Sequence, residues 1–144
     1  MINLSSEVQS KIIEISSDLE INPDDLTRLI NFESKFNPQA KNPYSSARGL
    51  IQFIDSTAQD LGFADSLDLV TQHPTVIDQL QIVYEYLSRF YPFKNQQDLY
   101  MSVFYPKYRK VDPQTVFPDS IQSVNPGIIT VQDYVDFVNR RGGL

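Results

Sequence analysis

Leu29-Ile30-Asn31-Phe32-Glu33-Ser34-Lys35-Phe36-Asn37-Pro38-Gln39-Ala40-Lys41-Asn42-Pro43-Tyr44-Ser45-Ser46-Ala47-Arg48-Gly49-Leu50-Ile51-Gln52-Phe53 decides how this chain is read. An apolar helical run ends on one carboxylate, Glu33, and polar turn residues follow. The chain then returns through small residues to Gly49-Leu50-Ile51-Gln52-Phe53. Desolvation at the end of a greasy helix raises a carboxyl pKa, as a general acid working near neutral pH requires. Gly49 lacks a Cβ and can bring its backbone close to a ligand or adopt a conformation other residues avoid. Gln52 both donates and accepts hydrogen bonds, which suits a sugar bearing hydroxyl and N-acetyl groups. Taken singly, Gly49 could serve a turn and Gln52 could cap a backbone group. The functional reading rests on the two together with Glu33-Ser34 at this spacing.

Glu33-Ser34, followed by Asn37-Pro38 and Ala40 and then by Gly49-Leu50-Ile51-Gln52-Phe53, resembles the catalytic segment of soluble lytic transglycosylases, relatives of goose-type lysozyme. The resemblance runs from about Leu26 to Leu61. It returns at Tyr100–Pro106, where Val103-Phe104-Tyr105-Pro106 stands for the family's Ala-Tyr-Asn segment. Pro106 replaces the asparagine there, and Ile51 replaces the methionine of Gly-Leu-Met-Gln, apolar for apolar. The Phe-Tyr-Pro form looks most like that of phage virion proteins. The resemblance implies a mainly α, lysozyme-like helical domain, with irregular or short-strand structure near residues 39–54.

It also implies a substrate, the glycan strand of peptidoglycan, cut at the β-1,4 bond between N-acetylmuramic acid and N-acetylglucosamine, and no cofactor. Glu33 would be the sole acid/base, leaving a 1,6-anhydro sugar. Ser34 would orient the acid or contact sugar, and Gly49 and Gln52 would line the cleft. Phe53 would belong to either cleft or core. Tyr105 would reach the carboxyl or the substrate, against the plainer reading of a core aromatic with a satisfied hydroxyl. Two alternatives stand beside this. A hydrolase would need a second carboxylate roughly 5–9.5 Å away, for which Asp55, Asp60, Asp65 and Asp68 are available. A virion protein could instead have kept the fold and only bind glycan.

Composition bounds the partners. At 144 residues the chain reads as a single domain, residues 1–144, large enough for its own core. Cysteine is absent, which excludes disulfides and thiolate metal sites, and a lone histidine, His73, excludes a histidine-rich metal centre. His73-Pro74 reads as a helix-start position rather than a catalytic base. The net charge of −6 disfavours nonspecific nucleic-acid binding. Residues 1–88 hold 5 basic and 13 acidic side chains (−8), and residues 89–144 hold 7 and 5 (+2). An ordinary solvated acidic surface accounts for the first; the second could face an anionic polymer. No apolar run is long enough to span a bilayer, and the N-terminus lacks the basic start and apolar stretch of a signal peptide. The expected setting is therefore a virion, or delivery to the cell wall by another route, with virion or tail components as candidate partners.

Helices are expected at about 6–20, capped by Ser6 with Gln9, and from Asn22-Pro23-Asp24-Asp25 to the stop at Asn37-Pro38. A short one follows Asp55 or Ser56 and closes at Gly62. Phe63 to His73 reads as a connector. The strongest amphipathic stretch, 74–90, carries Val76, Ile77, Leu80, Val83, Tyr84, Leu87 and Phe90 on one face. Asn95 starts another helix, stopped by Pro106, and Thr130 with Asp133 caps the last, whose core face holds Val131, Tyr134, Val135 and Val138. Residues 107–129 read as a long loop that could wall a cleft or merely connect.

Overall fold

A computed structural model describes residues 2–143 and is mainly helical. Eight α-helices occur among them: α1 Ser6–Leu19, α2 Pro23–Ser34, α3 Asp55–Asp60, α4 Ser66–Gln72, α5 Val76–Ser88, α6 Gln96–Phe104, α7 Asp119–Gln122 and α8 Val131–Arg141. A 3-10 turn covers Pro106–Tyr108. Extended structure among the described residues is limited to isolated bridges, Lys41 with Arg48, Arg48 with Phe53, and Val116 with Thr130.

Most starts follow local chemistry. The Asn22 side chain accepts from the Asp24 amide with Pro23 in the first turn, Asn95 accepts from the Asp98 amide, and Thr130 and Asp133 form a reciprocal capping box. Several details differ from the sequence reading. The cap of α1 is Ser5, whose hydroxyl accepts from the Val8 amide, while Gln9 turns back to the Leu4 carbonyl. Residues 66–72 of the expected connector form α4, started by Asp65 accepting from the Asp68 amide and held by buried Leu69 and Val70. His73 therefore ends a helix rather than beginning one, its ring edge-on to Phe63 at 5.4 Å. Asp55 does not cap its own helix; it accepts from the Ser66 amide and so covers the N-terminus of α4.

α1 packs on α2 and α5, and α8 packs on α2 and α6. The buried side chains form one contiguous core that includes Leu29 and Ile30 of α2, Leu80 and Val83 of α5, Leu99 and Tyr100 of α6, and Val131 and Val138 of α8. The α2–α8 seam is close. The Asn31 side chain donates to the Gly142 carbonyl at 3.0 Å, and a Cβ on Gly142 would stand 2.9 Å from the Arg28 Cα. Only glycine fits there, which lets the end of α8 settle against the last two turns of α2 and fixes Glu33 relative to α8.

Candidate active site

Helix α2 stops at Ser34, earlier than Asn37-Pro38 implies. Lys35 and Phe36 are both left-handed, with φ of 54° and 58°. Two successive non-glycine residues in that region cost about 1 kcal/mol each. The packed surroundings supply this, since Phe36 lies against the core. The result is a sharp exit that leaves Glu33 in the final turn.

Glu33 is half-buried. The Tyr134 hydroxyl, from α8, donates to its Oε1 at 2.6 Å. Desolvation raises the Glu33 pKa from 4.5 to about 7, and the hydrogen bond from Tyr134 pulls in the opposite direction. Burial, and then the neighbouring carboxyl, holds the Tyr134 hydroxyl well above its ordinary range, so it stays protonated and donates. Because Tyr134 occupies Oε1, the transferable proton of the acid form belongs on Oε2. Tyr134 itself is locked by Phe104, stacked at 4.1 Å, and by Phe32, edge-on at 5.7 Å.

A carboxyl that binds its proton more tightly folded than unfolded stabilises the fold fully below pH 4.5. It loses that contribution as pH rises through about 7. The difference corresponds to about 3 kcal/mol. Glu33→Gln is therefore expected to be more stable than the parent at pH 8.5 by up to about 3 kcal/mol, with the gap closing toward pH 4; urea titrations at the two pH values measure it. Tyr134→Phe is expected to raise the Glu33 pKa further and to cost about 1 kcal/mol of stability. The alkaline limb of the pH–rate profile should move upward, a shift that mere loss of packing would not produce.

The other expected site residues divide. Ser34 is buried, and its hydroxyl serves the backbone: the Leu50 carbonyl at 2.8 Å and the Ile30 carbonyl at 3.2 Å. It clamps the end of α2, one residue past Glu33, to the Gly49–Phe53 turn. Phe53 is core, edge-on to Tyr86 at 6.3 Å, and not cleft lining. Gly49 is buried with φ +85°, and a Cβ there would lie 2.6 Å from Gln79 Oε1. Its missing side chain makes room for a protein amide rather than for a ligand. Gln52 remains half-exposed with φ +61°, its Nε2 donating to the Gly49 carbonyl at 2.9 Å. Among the described residues no donor pairs with its Oε1. Tyr105 packs edge-on to Tyr108 at 4.7 Å and to Phe117 at 5.9 Å, half-exposed; the tyrosine that reaches Glu33 is Tyr134.

Gln79 was overlooked in the sequence. Fully buried on α5, it accepts from the Leu50 amide at 3.0 Å and donates to the carbonyls of Pro38 at 2.6 Å and His73 at 2.9 Å. One side chain thus ties both ends of the 38–50 segment to α5. A polar residue on the apolar face set by Val76, Leu80 and Val83 was the available signal. For Tyr134 the signal was weaker: a buried tyrosine hydroxyl needs a partner, but not a particular one.

None of the four aspartates that could serve a hydrolase is bonded to Glu33. Asp55 is held below the usual carboxylate range by the Ser66 amide, and Asp68 by Gln72 and then the Ala64 amide. Asp65 caps α4, and Asp60 is exposed. A groove of about 670 Å³ between α1 and α5, lined by Lys11, Glu14, Asp18 and Tyr84 among others, shares no residue with the Glu33 surroundings. Among the described residues, no cluster of three His, Asp or Glu is placed to hold a metal ion, and no helix is long and apolar enough to cross a membrane.

The family model of the transglycosylase SLT domain matches residues 10–103 of the chain. No curated protein matches the sequence significantly. The matched region spans α1 to α6 and stops short of Tyr105 and of α8, which carries Tyr134.

Proposed function

Because this chain belongs to the transglycosylase SLT domain family, whose activity is lytic transglycosylation of peptidoglycan, we propose that it cuts the N-acetylmuramic acid-β-1,4-N-acetylglucosamine bond with Glu33 as its only acid/base. The observation that supports this reading is a single carboxyl, half-buried, bonded by Tyr134 and raised to about 7. At neutral pH such a group is about half protonated, so it can give a proton and take one back within a turnover.

In the first step Oε2 of Glu33 protonates the glycosidic oxygen as the C1–O bond breaks toward an oxocarbenium-like state. The resulting carboxylate then removes the proton of the muramoyl C6 hydroxyl, whose oxygen bonds to C1 of the same sugar. The ring closes as a 1,6-anhydro product, Glu33 regains its proton, and no water is consumed. Intramolecular attack provides an effective concentration of about 10⁵ M, so no second carboxylate has to activate a nucleophile. Desolvation by the surrounding apolar side chains keeps the acid form available. Gln52 Oε1 is free to accept from a sugar hydroxyl or an acetamido N–H, while Ser34 and Gln79 hold that turn against the acid. Tyr105 is left to contact the sugar chain. We read the chain as a virion-borne enzyme, on the likeness of Phe104-Tyr105-Pro106 to phage proteins; mass spectrometry of purified virions tests that.

Digestion of purified sacculi in heavy-oxygen water tests the reaction. New ends lighter by one water and free of label are expected. Labelled reducing ends would mean hydrolysis, and no new ends would leave glycan binding without catalysis.

A further inference from the structure

The tyrosine that bonds Glu33 comes from α8, so the height of α8 on the bundle decides whether that bond forms. The Asn31 amide on the Gly142 carbonyl fixes the far end of the helix. A second tie is a relay of side chains that joins three helices and takes no part in the proposed chemistry. The hydroxyl of fully buried Tyr100, on α6, donates to Asn139 Oδ1 of α8 at 2.9 Å. Asn139 Nδ2 donates to Gln96 Oε1, at the start of α6, at 2.9 Å. Gln96 Nε2 in turn donates to Asp25 Oδ1 of α2 at 2.8 Å, and Arg28 Nη1 donates to the same oxygen at 3.1 Å.

The relay has a direction, and the Asp25 carboxylate sets it. Reversing the Gln96 amide would put its oxygen against that carboxylate, and reversing the Asn139 amide would put its oxygen against Gln96 Oε1. Both amides are therefore held one way round. Leu29 and Ile30 of α2 and Val135 and Val138 of α8 lie, along their helices, between the relay and the Glu33–Tyr134 pair. Apolar contact of that kind is non-directional, whereas the relay specifies an axial position. Tyr134 and Asn139 stand about 7.5 Å apart along α8. A slip of one residue, about 1.5 Å, would carry the Tyr134 hydroxyl out of reach of the Oε1 it now meets at 2.6 Å. Tyr100 on α6 faces Tyr134, and Asp25 and Arg28 on α2, paired with each other, face Tyr100.

Resting on the reading of Glu33 as the acid, we propose that Asn139 is a positioning residue for it: by tying α8 to Tyr100 and Gln96, it holds the Tyr134 hydroxyl on Glu33 Oε1 and leaves Oε2 to exchange the proton. Asn139 touches neither the acid nor the sugar. It acts through Tyr134, five residues earlier on the same helix.

Carbon-13 NMR of protein labelled in its five glutamates reads the Glu33 carboxyl directly, its signal assigned by its loss in Glu33→Gln. Asn139→Leu keeps the size of the side chain and removes both of its hydrogen bonds. Its Glu33 titration midpoint is expected about half a pH unit above the parent's. The Tyr134 bond that pulls the midpoint down is weakened there, while the apolar seam keeps the carboxyl desolvated. Should Asn139→Leu not fold, Gln96→Met, which breaks the relay one link further from α8, carries the test with a smaller shift in the same direction. Added to Tyr134→Phe, Asn139→Leu should move the midpoint no further. Gln59→Leu, which loses an exposed hydrogen bond to the Ala64 carbonyl, should keep the parent's value. A midpoint that stays or falls in the folded relay variant, or a shift of equal size in the Tyr134→Phe background, would overturn the proposal. The titration needs no turnover, so missing anhydro ends in the sacculus digest would sink the reaction assigned to Glu33 without deciding the role of Asn139.

Discussion

Glu33→Gln leaves a folded protein that no longer clears sacculi: a fall in rate of a thousandfold or more is the expected result. General acid catalysis alone contributes about 10²–10⁴, and in the proposed mechanism the same carboxyl also takes the proton from the attacking hydroxyl, so both halves of the turnover would fail together. The substitution preserves shape and leaves an amide oxygen able to accept from Tyr134. Any loss therefore reports the missing proton and not a displaced helix. Turbidity loss of sacculi at pH 6, with circular dichroism to verify folding, measures it. Residual activity within tenfold of the parent would move the acid to another residue.

Gln79→Ala is expected to cost about 3–5 kcal/mol of stability and most of the activity. Three backbone groups, the buried Leu50 amide and the part-buried Pro38 and His73 carbonyls, lose their partner at once. Each unsatisfied group costs about 1–3 kcal/mol, partly relieved where water enters. Gln79→Met separates polarity from volume. It refills the space without restoring any hydrogen bond, so it should be nearly as damaging. Denaturant midpoints of the two variants decide between the accounts: recovery of stability in the methionine variant would make Gln79 a packing residue. Hydrogen exchange at the Leu50 amide gives a local readout, expected to quicken more than amides within α1.

How much was legible in the sequence follows from how local each cause is. Asn22-Pro23, Asn95 and Thr130 with Asp133 start helices because the capping oxygen and the amides it accepts from lie within a few residues. The run from Val76 to Leu87 reads as the central helix because its apolar spacing alone defines a face. Helix α4 does not show in the sequence because seven residues with only Leu69 and Val70 as buried apolar positions give too short a period to stand out. Glu33 and Gln52 were legible as a motif, but Ser34 and Phe53 sit in the same motif for structural reasons, and no sequence feature separates a residue that touches ligand from one that holds such a residue in place.

The sequence alone determined that the chain is helical, that α2 ends on a carboxyl, and that a glycine-bearing turn follows at a distance suited to a glycan-cutting family. The first two are consequences of composition and short-range pattern; the third rests on the resemblance to that family. Only the tertiary structure decided which tyrosine serves that carboxyl, since Tyr134 lies 101 residues from Glu33 and meets it through the α2–α8 seam. It also decided that Lys35 and Phe36 turn left-handed and that Gln79 anchors the turn. In each case the deciding energy comes from desolvating groups against distant partners, and burial of that kind exists only once the chain has packed.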